Sequence, residues 1–270
     1  MTDDFRERFE ALCRELLRGS DANGGSSGEG IGTYNEKNLH RLLKKSLCDR
    51  DEECEVRVGA YVADILTEGH IIEIQTGSFY PLAPKLRYYL EETGYRVTVV
   101  HPLIVEKMLV RIDRETGEVL RRKKSPKRES LVGVLPQLYY LREIFPTSGL
   151  ELVIPEVYGE EYRYSERMRY RRAGAYDAEF FPTGIREITT LSTLEDVKAI
   201  LPQELRTGGT FDRACFSSVT GLHGREMGSA LRGLCALGIL ESSRTGKKYE
   251  YRFLYREIRR RRRFLESCRL

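Results

Sequence analysis

Three polar residues stand in an apolar setting: Asp64 in YVADILTEG (61–69), and Glu73 and Gln75 in HIIEIQTGSF (70–79). Read as strands, the first stretch places Asp64 on a face with Val62 and Leu66, and the second places Glu73 and Gln75 with Ile71. An ionised carboxylate among apolar neighbours is costly unless a cation or a metal ion balances it. Two carboxylates on adjacent strands suit Mg²⁺ or Mn²⁺, which take oxygen ligands and retain waters that can be activated. Thr76 and Ser78 add hydroxyls that bond either a phosphate or the local backbone. The same spacing also occurs on an ordinary polar hairpin, so the elements around it decide how it is read.

Those elements alternate. Phe5, Phe9, Leu12, Leu16 and Leu17 recur at helical spacing over 3–18, ahead of the Gly/Ser-rich stretch GSDANGGSSGEGIG. A short helix follows from Asn35 with Leu39, Leu42, Leu43 and Leu47 on one side, then strands over 54–59, 61–69 and 70–79, the last two joined by a turn at Glu68-Gly69. A helix over 81–94, opened by prolines and closed by Gly94, precedes the β-branched strand 95–105. This order predicts an α/β fold, a mixed central sheet flanked by helices. A hairpin over 108–124 with a basic return arm, a helix at 130–145 interrupted at Pro136 and a strand at 150–158 follow.

The constellation resembles the PD-(D/E)XK nuclease superfamily, the fold of many restriction endonucleases and Holliday-junction resolvases. The resemblance covers residues 33–105 and rests on the motif in VADILTEGHIIEIQTG together with the order of elements. It implies a restriction-endonuclease-like fold in which Asp64 and Glu73 bind one or two Mg²⁺ or Mn²⁺ ions. Glu36 would supply the helix-borne carboxylate of several branches, and Gln75 would orient the attacking water. Two departures stand out: Ala63 precedes the Asp where proline is common, and Gln75 occupies the usual lysine position. Glutamine cannot supply charge or take a proton; it positions by hydrogen bonds alone.

Charge points to a polyanionic partner. The chain carries 45 Lys/Arg and 41 Asp/Glu, but residues 1–105 hold 13 against 18 and the remainder 32 against 23, so the basic excess lies toward the C-terminal side. Arg121, Arg122, Lys123 and Lys124 cluster on the hairpin return arm. From 189 the order helix (192–205), helix–turn–helix (211–240) and hairpin (241–253) is that of a winged helix. Its second helix would present Arg225, Ser229 and Arg232 to DNA, and its hairpin Arg244, Lys247 and Lys248. Five consecutive arginines at 259–263 suit phosphates, a membrane surface or a solvated helix end.

The organisation read this way is an N-terminal helix (1–19), a flexible linker (20–32), a nuclease-like α/β domain (33–160), a basic Arg/Tyr connector (161–188), a winged-helix domain (189–256) and an Arg-rich tail (257–270). The chain shows neither a signal-peptide pattern nor an apolar run of the ~18 residues that would span a bilayer, so a cytoplasmic location without membrane insertion is expected. Six scattered cysteines without C-x-x-C pairs read as reduced thiols. His40, His70 and His101 read as singletons, and no Gly-rich nucleotide loop is present. Two functions compete. One is a Mg²⁺-dependent deoxyribonuclease, an endonuclease for which double-strand cutting would favour a homodimer. The other is a non-catalytic winged-helix DNA-binding regulator that keeps a degenerate nuclease-like domain.

Overall fold

The computed structural model describes residues 3–22, 34–113, 116–165, 177–207, 209–246 and 248–254. They form two compact units, one of residues 1–133 with 146–193 and one of residues 134–145 with 194–270.

The first unit is α/β, a mixed sheet flanked by helices. Helices α1 (Asp3–Ala22) and α2 (Tyr34–Leu47) lead into strands β1 (Cys54–Val58), β2 (Tyr61–Thr67) and β3 (His70–Ile74). Then come α3 (Ala83–Tyr88), β4 (Arg96–Val100), β5 (Leu103–Asp113), β6 (Val119–Lys124), β7 (Leu150–Ser165) and β8 (Asp177–Leu191). β1, β2 and β3 pair antiparallel, β3 joins β4 in parallel, and β4 and β5 both run parallel to β7. β4 and β5 behave as one interrupted strand. Val97 faces Leu150, Val100 faces Val153 and Leu103 faces Glu156, the same offset throughout, with the break at Pro102, which has no N–H for the ladder.

Burial explains the layers. Phe5, Phe9 and Cys13 of α1 and Leu39, Leu42 and Leu43 of α2 share one core with Ile65, Ile72, Ile74, Val100, Val153 and Val157. Alternation sends the neighbours Asp64 and Glu73 to the other face, where α3 lies. The β2–β3 turn has Glu68 at φ 46° and Gly69 at φ 77°, the pair of positive values that lets a two-residue hairpin follow the strand twist. The sequence leaves 161–188 as a connector, but β7 and β8 run into it and pair as far as Tyr164 with Asp177. Periodicity missed this because the end of β7 reads EYRYS, with no aliphatic residue, and Pro182 and Gly184 interrupt the apolar residues of β8. α1 likewise continues to Ala22, into the start of the expected linker. The rest of that linker, the core of the Arg/Tyr segment and the arginine run 259–263 lie outside the described residues.

The second unit contains α4 (Leu135–Leu141), α5 (Leu194–Ala199), α6 (Gln203–Thr207), β9 (Thr210–Asp212), α7 (Arg213–Thr220), α8 (Gly224–Ala236), β10 (Leu240–Thr245) and β11 (Lys248–Phe253). The single helix expected over 192–205 is two short ones, α5 and α6, separated around Pro202. β9, β10 and β11 make a small antiparallel sheet with β11 in the middle. α4 and α8 approach closely at Gly233, where a Cβ would lie 3.0 Å from the Tyr139 backbone nitrogen. Among the described residues no helix is long and apolar enough to cross a membrane.

Candidate active site

Sheet register builds the site. Ile65 faces Ile72 across β2–β3, so the next position sets Asp64 opposite Glu73, on the same face. On the other side of β2, Cys54 faces Ile65 and Val56 faces Ala63, which brackets Glu55 opposite Asp64. Glu55, Asp64 and Glu73 therefore form a row of carboxylates across three neighbouring strands. Glu55 holds the left-handed φ of 55°, which a non-glycine residue adopts only under constraint.

Each carboxylate has a basic side chain beside it. Lys44 Nζ of α2 lies 2.7 Å from Glu55 Oε1, and His40 Nε2, one turn earlier, lies 3.4 Å from Asp64 Oδ2. The Ile74 amide N–H donates to that same Asp64 oxygen at 2.8 Å. From α3, Lys85 Nζ donates to Glu73 Oε2 at 2.7 Å. Glu73 is only 3% exposed, and its other oxygen, Oε1, is buried with no hydrogen-bond partner. The fully buried Tyr89, four residues after Lys85, likewise keeps its hydroxyl without a partner.

These environments push the two central carboxyls apart. Burial raises Asp64, but the His40 contact and the Ile74 N–H outweigh it and hold the group below the ordinary aspartate value. Burial dominates at Glu73 and lifts it to about 7, with Lys85 offsetting only part of the cost. Burial, then the charge of Glu73, raises the Tyr89 phenol. One carboxylate that stays ionised beside one that titrates near neutrality is the pattern of acid–base and metal sites.

Of the residues the sequence singled out, the fold brings Asp64 and Glu73 together. Gln75 extends the same strand, but its amide Nε2 donates to the Ser78 carbonyl at 2.9 Å and is spent on the loop. Its own carbonyl accepts from His101 Nδ1, a buried ring set edge-on to Phe79. Glu36 lies in α2, one turn before His40, and its side chain is outside the described residues. His70 is engaged elsewhere, 2.8 Å from Thr98 Oγ1, which itself donates to Glu151. Lys85, His40, Glu55 and Tyr89 were missed. The available signal was a lysine in the first turn of the helix after a motif that lacks one.

The basic residues divide. β6 alternates, so Arg121 and Lys123 face one way, while Arg122 and Lys124 are ion-paired to Glu160 and Glu106. In the second unit Arg225 is exposed at the start of α8. Arg232 instead lies 5.0 Å over the Tyr139 ring and donates to Ser229 Oγ, so these two spend their polar groups within the unit. Arg244 Nε donates to the Gly246 carbonyl, Lys248 is exposed and Lys247 lies outside the described residues.

Comparison with known proteins supplies a family. The model described as Domain of unknown function (DUF8091) matches residues 37–191. The chain belongs to that family. The matched region takes in β1–β8, α3 and all but the first turn of α2, so it contains Asp64, Glu73, Lys85 and His40. An uncharacterized protein of Treponema pallidum (strain Nichols) is 28% identical over 151 residues, which cover 54% of this chain and 59% of that protein. No solved structure matches the chain.

Proposed function

We propose that this DUF8091 member is a metal-dependent DNA nuclease, an endonuclease of the PD-(D/E)XK type with a restriction-endonuclease-like fold. The observation that carries the reading is Lys85 Nζ at 2.7 Å from Glu73, with Glu73 opposite Asp64. α3 thus supplies the cation that Gln75 cannot.

The donor set fits Mg²⁺ or Mn²⁺. Such an ion is commonly held by one or two carboxylates plus waters, and Glu73 Oε1 is buried and unspent beside Asp64. Among the described residues no third His, Cys, Asp or Glu completes a ligand group with them. Asp64 and Glu73 would hold the ion, which when bound supplies a water of lowered pKa and positive charge for a phosphodiester. The chain's own residues do the remaining work. His40 and the Ile74 N–H hold Asp64 as an anion, and Lys85 holds Glu73 and presents an ammonium for a phosphate oxygen.

DNA is the substrate that the basic elements favour. The order α7, α8, β10, β11, with β9 added to the sheet, is that of a winged helix and supports a DNA-binding role for Arg225, Arg244 and Lys248. A second reading, a DNA-binding regulator without catalysis, draws on the same ion pair, because Lys85 already balances Glu73 without a metal. The deciding assay incubates supercoiled and linear DNA with the full chain in Mg²⁺, Mn²⁺ or chelator. Metal-dependent cutting that Asp64→Ala and Glu73→Gln abolish supports the nuclease. Intact DNA under every metal, with binding retained, supports the regulator.

A further inference from the structure

A second polar atom is left over beside Glu73. The Tyr89 hydroxyl and Glu73 Oε1 are both buried, and neither makes a hydrogen bond. Tyr89 is fully buried and Glu73 is 3% exposed, so solvent at the surface does not answer them. Burial first, then the charge and the nearness of the Glu73 side chain, raise the Tyr89 phenol, which makes the two groups neighbours. One is a donor and the other an acceptor. A buried tyrosine hydroxyl ordinarily finds a partner, and an orphaned one in a folded protein calls for a role.

The local fold fixes the ring and leaves its hydroxyl unanswered. Tyr89 stands edge-on to Tyr61 of β2, with ring centroids 6.1 Å apart, and to Tyr88 at 6.2 Å. It follows Lys85 by four residues along the helix, which sets the two side chains on one face, and Lys85 Nζ lies 5.8 Å over its ring. The same ammonium donates to Glu73 Oε2, so Lys85 touches both the ring and the carboxylate. From Tyr89 to Thr93 the helix widens into a π turn, within which the Thr93 hydroxyl donates to the Tyr89 carbonyl at 2.6 Å. Such turns are rare and recur at functional sites.

We infer that Tyr89 is a positioning residue for the Glu73 carboxylate, its hydroxyl donating to Oε1 and so holding the group in the orientation in which it takes a divalent cation. Lys85 then secures one carboxylate oxygen and Tyr89 the other. Each oxygen of a carboxylate has about two lone-pair sites, so Oε1 accepts from Tyr89 and still coordinates an ion. Carboxylates that hold metals are themselves hydrogen-bonded, and loss of such an outer partner commonly costs about 10–100-fold in metal affinity. Tyr88, the next residue back, has the same chemistry in a different place. Its ring packs on Tyr61 and its hydroxyl lies against Gly59, where a Cβ would come within 2.0 Å of it. This inference rests on the metal reading of Asp64 and Glu73.

The test titrates Mn²⁺ into the full chain without DNA, counting the free ion by electron paramagnetic resonance, and follows thermal melting in chelator. Tyr89→Phe removes the hydroxyl and keeps the ring over Lys85. Because that hydroxyl is unpaired in the fold, its removal should leave melting at or above wild type. Mn²⁺ affinity should nonetheless weaken about tenfold, while Tyr88→Phe binds the ion like wild type. Unchanged affinity in Tyr89→Phe, or an equal loss in both phenylalanine variants, overturns the inference. A drop in melting that accompanies the lost affinity makes the hydroxyl part of the framework and overturns it as well. A wild-type chain that takes up no Mn²⁺ fails the metal reading and the inference with it, whereas uptake lost in Glu73→Gln and kept in Tyr89→Phe fails the inference alone.

Discussion

The carboxylate row on β1–β3 and the arginine row on β5–β7, Arg121–Arg111–Arg163, are built by the same device, antiparallel or parallel register that sets like charges abreast, and they are balanced from different elements. Glu55, Asp64 and Glu73 each meet a basic side chain from a helix: Lys44, His40 and Lys85. In the arginine row Arg163 pairs with the buried carboxylate of Glu161, which Lys107 shares. The first region has its charges set by side chains from the helices, and in the second the pairing that is seen comes from the strands themselves, Lys107 and Arg163 with Glu161. A site that performs chemistry needs its protonation states set by the fold.

The comparison can be broken at either end. The largest effect should come from Asp64→Ala and Glu73→Gln, which we expect to lower metal-dependent cleavage at least about 100-fold, read by gel, with DNA affinity unchanged. Next, Lys85→Met leaves a buried carboxylate without its cation. A loss of about 3–5 kcal/mol at pH 8, measured by denaturant unfolding, is the cost of breaking such a pair, and the loss should shrink in acid where Glu73 is protonated. Wild-type stability itself should depend on pH through Glu73. A carboxyl whose pKa rises on folding from 4.5 to about 7 binds its proton more tightly when folded, so its contribution is complete below about pH 4.5 and lost as pH climbs to about 7. That amounts to about 3 kcal/mol at 1.36 kcal/mol per unit, and Glu73→Gln should remove the slope in chelator. The smallest effect tests the other row. Arg121→Glu replaces a like-charge cross-strand pair with an opposite one and should raise stability by less than about 1 kcal/mol in the same denaturant unfolding.

Much of the carboxylate region was legible because its signals are local. Period-two alternation around Asp64 and Glu73, the Glu68-Gly69 turn and the proline-opened, Gly94-closed helix segment all lie within about forty residues, and each acts through backbone sterics or burial. The partners of the carboxylates were less legible. Lys85 reaches Glu73 only after α3 folds back on the sheet, and Gln75, at the motif position, turns to the Ser78 carbonyl instead. Glu55 joins the row through β1–β2 register, which composition does not reveal. The arginine row was hidden for the same reason. The run 121–124 reads as one basic cluster, whereas the strand sorts it onto two sides, and Arg163 is brought to Arg111 by a parallel pairing with a remote segment.

The central claim is a division of labour between the carboxylates and the basic residues of the second unit, and one paired measurement tests it most directly: cleavage rate at saturating protein and affinity in chelator, on the same duplex, for Glu73→Gln and Arg225→Gln/Lys248→Gln. We expect a crossover in which Glu73→Gln loses the rate and keeps the affinity, and the second-unit double loses affinity and keeps the saturated rate. A Glu73→Gln protein that cuts like wild type, or two variants that lose rate and affinity together, would contradict it.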